Sequence, residues 1–317
     1  MASTIKTIAC MSAVMAAMLS LPVAATTGQK LDTSGLTLTF SDNFYGAQHY
    51  HSGGPVWNAA PIPFKVDDPA FEWQLGYYNC ETRVTGNPSS LPTSRFFPAY
   101  STLPHEAEIY PNYDEANVSG LWPFVRKPNE LDIVAQPLPE SQKLNVPANL
   151  PRSYISGAFT TYPRAQKYGY FEMKAKLPAG RGLWPAFWLL PLSGSGEIDI
   201  MEVLGQDPKM LYATVHSSDL PGSMKINMIK TANLSQEFHT FGADWGPKNI
   251  VFYVDQVEVA SVPTPADMHR PYYMLFNLAV GGAGSWPGPP DNTTTFPAHF
   301  QIEYVKIWQR SQYIGAP

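Results

Sequence analysis

From about residue 33 onward the chain is a succession of short runs rich in aromatic and β-branched residues, separated by Gly, Pro, Asn and Ser. LTLTF (36–40), GYFEMKAKL (169–177), LYATVHS (211–217), FHTFGADW (238–245), NIVFYVDQVEVASV (249–262), YYMLFNLAV (272–280) and FQIEYVKIW (300–308) all have this character. Such runs predict strands. No segment sustains a 3.6-residue apolar period, so no long amphipathic helix is expected. Nor does a repeat or a long linker divide the chain. The pattern predicts an all-β, antiparallel sandwich packed sheet on sheet, as a single domain over residues 33–312. Residues 80–152 differ: Pro, Ser, Asn and Tyr dominate and strand signals are sparse. They are expected to be surface excursions that build part of a cleft rim.

One strand breaks the alternation. GEIDIME, residues 196–202, carries Glu197, Asp199 and Glu202 among isoleucines and a methionine. Strand side chains alternate faces, so Glu197 and Asp199 share one, with Ile198 and Ile200 on the core side. Glu202 falls out of phase. Asp and Glu are poor strand formers, and three like charges on one strand repel, so a solvated structural face explains them badly. A β-bulge near Ile200–Met201 restores Glu202 to the face of the other two. Glu197 and Glu202 then stand ~13 Å apart along the backbone, and two Glu side chains leaning together leave their carboxyls ~5 Å apart. That gap suits double displacement at a sugar's anomeric carbon, whereas single displacement through a water needs about 6.5–9.5 Å.

Aromatic residues cluster near the acids. Trp184 and Trp188 lie in GRGLWPAFWLLP (180–191), and Trp286 follows the glycine-rich AVGGAGSW turn. Indole faces stack on pyranose rings and keep an N–H to donate. Trp184 and Trp286, beside Pro and Gly, are read as cleft residues; Trp188, followed by two leucines, fits core or cleft equally. His216, on the following strand, is within hairpin reach of the acids and could tune a carboxyl by hydrogen bonding.

Composition narrows the setting. The 317 residues carry a formal charge of -5, 15% charged residues and 31 prolines. This lacks the basic surplus of a nucleic-acid or anionic-membrane binder. The opening MASTIKTIACMSAVMAAMLSLPVAATTGQK reads as a secretory signal peptide cleaved after Ala25, giving a secreted or periplasmic protein; a membrane anchor is the alternative for the same segment. No later stretch reaches the ~20 apolar residues of a membrane span, so no membrane association is expected once the signal is removed. Cys10 lies in the signal, leaving Cys80 without an internal partner and most simply a packed apolar side chain. Asn-x-Ser/Thr sequons occur at Asn117, Asn233 and Asn292. No zinc-ligand spacing, nucleophile elbow or phosphate-binding loop is present.

GEIDIME, with YGYFEMKAKLPAGRGLWPAFWLLP before it and TVHSS, FHTFGADWGPKNIVFYVD, YYMLFNLAVGG and YVKIW after it, resembles glycoside hydrolase family 16, from about Ser156 to Trp308. The earlier LTFSDNF is similar to that family's opening strand, with Asn43 where an acid is common. The resemblance implies a β-jelly roll with a concave glycan cleft and a retaining endo-hydrolase of β-linked polysaccharide. It implies Glu197 as nucleophile, Glu202 as general acid and then base, and Asp199 as the residue that hydrogen-bonds the nucleophile. Asn277, in the FNLAVGG block, joins Trp184, Trp188, His216 and Trp286 as a substrate-binding candidate. Some members hold a structural calcium through an acid in the last strand, where Glu303 stands here; no cofactor is otherwise required. A monomer acting on β-1,3- or β-1,3-1,4-glucan or a related exopolysaccharide is expected. Transglycosylation and a non-catalytic glucan-binding module remain the alternatives.

Overall fold

A computed structural model describes residues 28–44, 74–75, 100–111 and 121–314, apart from Pro104, Pro147, Arg152 and Pro163. The expected signal segment, Cys80 and Asn117 lie outside the described residues. Among the described residues, eighteen strands, numbered β1 to β18 in chain order, form two sheets, with short 3-10 turns besides.

The seven-stranded sheet runs β13 (Met224–Lys230), β12 (Met210–His216), β11 (Glu197–Val203), β10 (Leu183–Pro191), β17 (Tyr272–Val280), β8 (Ala158–Thr160), β2 (Gln74–Leu75). The eleven-stranded sheet runs β16 (Val257–Pro263), β15 (Asn249–Val254), β14 (His239–Trp245), β9 (Gly169–Lys176), β18 (Ala298–Arg310), β6 (Glu130–Pro137), β7 (Tyr154–Ile155), β4 (Glu108–Pro111), β3 (Tyr100–Ser101). In that sheet β1 (Leu36–Asp42) also pairs with β18, and β5 (Phe124–Lys127) with β6. This is the expected β-jelly-roll sandwich. One pairing departs from the antiparallel expectation: β4 and β7 run parallel.

The alternation read from the sequence sorts side chains to the two faces of β10 and β17. Leu183, Phe187 and Leu189 of β10, with Tyr272, Met274, Phe276, Leu278 and Val280 of β17, enter the core between the sheets. Trp184, Ala186, Trp188 and Leu190, with Tyr273, Leu275 and Ala279, sit on the outer face. Within the core, Phe276 stacks on both Phe187 and Phe159 at 4.8 Å between ring centroids. Stacked rings across three strands add to simple area burial and help fix register, and these three strands place the site.

The hairpin β15–β16 turns at Asp255–Gln256, both at positive φ (50° and 61°), as a right-twisted two-residue hairpin demands. The described part of residues 80–152 holds more regular structure than its composition suggested. Pro128–Asn129 reads as loop punctuation, yet it is the two-residue turn joining β5 to β6, with Asn129 at φ 58°. Asp132 and Glu130 disguise β6, which is nevertheless mostly buried in the middle of a sheet.

Candidate active site

The bulge stands where the phase of the acids required it. Against β12, Asp199 pairs with Thr214 and Glu202 with Tyr212, so three steps on β11 match two on its neighbour. Against β10, Phe187 pairs with Met201 and Trp188 with Asp199, which leaves Ile200 as the extra residue. Ile198, Ile200, Met201 and Val203 all enter the core, and the three acids share the outer face. Gly196, which opens the strand, has φ 103°, and a Cβ there would lie 2.5 Å from the Tyr272 hydroxyl oxygen. Only glycine fits that approach.

The pairing registers build two rows across the outer face. One runs Tyr212, Glu202, Ala186, Asn277, Ala158; the other Thr214, Asp199, Trp188, Leu275, Thr160. Alanines flank Asn277, so the first row is low where the second is tall. Glu197 pairs directly with His216.

Asp199 and Glu202 are almost wholly buried, at 2% and 3% exposure, while Glu197 is partly exposed. Trp184 Nε1 donates to Glu202 Oε1 (3.2 Å), and Thr214 Oγ1 reaches Glu202 Oε2 at 3.5 Å. His216 Nε2 lies 3.1 Å from Asp199 Oδ2 and 3.9 Å from Glu197 Oε1. The closer contact is an ion pair at hydrogen-bond distance but with poor hydrogen-bond angles.

Burial first, and then the charges of Asp199 and Glu197, push the Glu202 pKa well above the carboxylate range, against the opposing pull of His216 and Trp184. Glu202 therefore holds a proton more tightly than an ordinary carboxyl. Burial disfavours the charged form of His216, but Asp199, by contact and by charge, and then Glu197 outweigh it and hold the pKa up at about 10. The ring is thus a cation among acids. Glu197, Asp199 and His216 also bring potential ligand atoms within 4.8 Å of one another, but a protonated imidazole has no lone pair left for a metal.

The site thus holds a proton donor, a second carboxyl on the same face and a cation beside Asp199 and Glu197. A family model for glycosyl hydrolases family 16 matches residues 130–306 of the chain, which include the whole of this arrangement. The chain belongs to glycosyl hydrolase family 16. It is 36% identical to the endo-1,3-1,4-beta-glycanase EglC of Rhizobium meliloti (strain 1021) over 283 residues, covering 88% of this chain and 53% of that protein. It is 37% identical to the endo-1,3-1,4-beta-glycanase ExsH of the same organism over 287 residues, with the same coverage. The chain thus spans about half the length of these curated relatives. Among solved structures, the catalytic domain of an endo-1,3-beta-glucanase (laminarinase) from Thermotoga petrophila RKU-1 superposes with a TM-score of 0.61 at 25% identity, covering 87% of this chain and 98% of that one.

The other candidates of this family 16 chain divide. Trp184 and Trp286 meet edge to face at 5.4 Å, and Tyr212 packs on Trp286 at 4.6 Å, so an aromatic corner stands beside Glu202. Trp188, which the sequence left between core and cleft, is buried but on the outer face, donating Nε1 to Asn277 Oδ1 (2.9 Å). Asn277 spends its other end on the Tyr110 hydroxyl (3.3 Å). Glu303 lies apart from the acids, on the other sheet. Its carboxylate pairs with Lys174 Nζ at 2.6 Å, both side chains one-third exposed, and among the described residues no trio of acid, His or Cys ligands gathers there.

Sequence reasoning passed over Tyr212 and Thr214, though both follow from stepping back by twos from His216. It also missed Asp267, which accepts from Ser217 Oγ (2.6 Å) and from the Ser218 N–H and hydroxyl, and lies 3.5 Å from Ser195 Oγ. Asp267 thereby ties the start of β11 to the end of β12, the ends that carry Glu197 and His216.

Proposed function

We propose that this chain is a secreted, retaining endo-β-glycanase that cleaves β-1,3- or β-1,3-1,4-linked glucan or a related exopolysaccharide, working as a monomer without a cofactor. The observation that carries this reading is the unequal setting of two carboxyls on one bulged strand: Glu202, buried and proton-holding, beside the more exposed Glu197. Glu202 gives its proton to the leaving glycosidic oxygen while Glu197 attacks the anomeric carbon, forming a glycosyl-enzyme ester. Glu202, now a carboxylate, draws a proton from water, which displaces Glu197 and restores both groups. Asp199 and His216 keep a compensated pair of charges beside Glu197, which hold the attacking carboxylate in place, while Asp199 raises the proton affinity of Glu202 against the opposing pull of His216. Trp184, Trp188 and Trp286 offer faces for successive sugar rings. The resemblance to endo-1,3-1,4-beta-glycanases in name supports the substrate class.

Reducing-sugar release from laminarin, lichenan and an acidic exopolysaccharide, with linkage analysis of the products, tests the reading. Release of oligosaccharides with retained anomeric configuration is expected. Tight glycan binding without turnover on any of the three would replace it with a binding module.

A further inference from the structure

A second buried carboxyl pair lies outside the acid strand. Glu106 and Glu108 sit on the segment that leads into β4, both buried, and both precede the span matched by the family model. This segment lies against the end of β17. The Ala107 N–H donates to the Val280 carbonyl (2.7 Å), and the Gly282 N–H donates to the His105 carbonyl (2.9 Å). Glu108 Oε2 accepts the Val280 N–H (2.7 Å), and Glu106 Oε2 accepts the Leu103 N–H (3.3 Å).

Burial, and then the charge of Glu108, raise the Glu106 pKa well above the carboxylate range, and burial raises that of Glu108 as well. Beside this pair, Tyr110 carries a polar link to the outer face. Asn277 Nδ2 donates to the Tyr110 hydroxyl oxygen (3.3 Å), and Asn277 Oδ1 accepts from Trp188 Nε1 (2.9 Å). An indole only donates, so Asn277 must turn its carbonyl to Trp188. Its amide nitrogen is then left for the Tyr110 oxygen, and the two partners together permit a single orientation of the Asn277 amide. Trp188 pairs across the sheet with Asp199, so what fixes its indole also shapes the ground beside the acids.

We propose that Tyr110 is a positioning residue for the cleft: it sets the Asn277 amide and, through it, the Trp188 indole, and so determines affinity for the sugar unit that lies on the β17 side of Asp199. This rests on the reading of the outer face as a glycan site. Tyr110 does not touch the substrate, since it is fully buried.

The test is made on the full chain in a Glu202→Gln background, where turnover does not interfere, with laminari- and mixed-linkage oligosaccharides titrated by calorimetry. Tyr110→Phe and Trp188→Phe are each expected to weaken binding about 5- to 10-fold, and the two together no more than Trp188→Phe alone, because one acts through the other. In the active enzyme Tyr110→Phe should raise KM by the same factor and leave kcat within about 2-fold. Additive losses, or parental affinity in Tyr110→Phe, would overturn the proposal. The near-ultraviolet circular dichroism band lost in Trp188→Phe gives a readout that needs no ligand: Tyr110→Phe should diminish it, and its retention overturns the proposal even if no glycan is ever cleaved. Should Tyr110→Phe fail to fold, Asn277→Ala replaces it. It releases the Trp188 indole from the same link, so the same weakening of binding and loss of the near-ultraviolet band are expected, and their absence overturns the proposal.

Discussion

Two groups of crowded carboxyls, one on β11 and one at the start of β4, are built differently. At Glu202 and at Glu106 burial comes first and a neighbouring carboxylate second in raising proton affinity. The surroundings then diverge. The β11 acids have a fixed cation, His216, and a partly exposed member, Glu197. The Glu106–Glu108 pair is held by the backbone N–H groups of Leu103 and Val280. A raised pKa therefore marks a group able to hold a proton, but access and a compensating charge decide whether that proton is used or only stored.

The largest effects should separate the two sites outright. Glu197→Gln and Glu202→Gln are each expected to lower kcat on laminarin or lichenan by about 10³-fold or more, with far-ultraviolet circular dichroism unchanged. Azide should restore turnover in Glu197→Ala with inverted product. Glu106→Gln should keep kcat within about 2-fold; a loss there as deep as at Glu202 would erase the distinction.

A smaller effect probes the cation. Asp199→Asn removes the principal partner of His216, and kcat is expected to fall about 10- to 100-fold. Titration of the His216 ring by NMR should move down from about 10 toward the ordinary histidine range. An unchanged titration would show that Asp199 is not what keeps the ring charged.

The pH profile sharpens the contrast further. Glu202 serves as an acid only below its raised pKa, so kcat/KM should fall as pH climbs through that value. His216 depresses the proton affinity of Glu202, so His216→Gln should shift the alkaline limb upward even as the maximum rate drops. Because the folded pKa of His216 is raised, the stability it contributes is complete below the unfolded histidine value and is lost as pH rises from there through about 10. Urea unfolding of the wild type against His216→Gln over that window measures it.

The mildest changes belong to the second pair. Glu108→Ala leaves the buried Val280 N–H without its acceptor and should cost about 1–3 kcal/mol in urea unfolding while hydrolysis persists. Glu106, also raised, contributes stability that is present at low pH and lost as pH rises through its folded pKa. Glu106→Gln should flatten that part of the pH dependence with little change in midpoint at pH 5.

The all-β class, the hairpin that brings His216 to the acids, and the bulge at Ile200 were legible because each is written in nearest neighbours; the turn at Asp255–Gln256, inside what read as one run, was not. A strand of period two with three acids and four apolar residues has one solution that buries the apolar ones, and it needs an extra residue between Asp199 and Glu202. Trp188 was not legible: alternation places it opposite to Phe187 and Leu189, but Leu190 beside it on the outer face disguises that face as core. The pairing of Glu303 with Lys174 was hidden in the same way, since it depends on β9 lying beside β18.

Sequence alone thus determined which side chains share a face, because the pleat of a strand enforces alternation whatever lies around it. Tertiary structure decided what each face meets. Asn277 finds Tyr110 across 167 residues and Val280 finds Glu108 across 172. Hydrogen bonds at such separations leave no periodic trace, for they are set by how the sheet edges dock after the strands have formed.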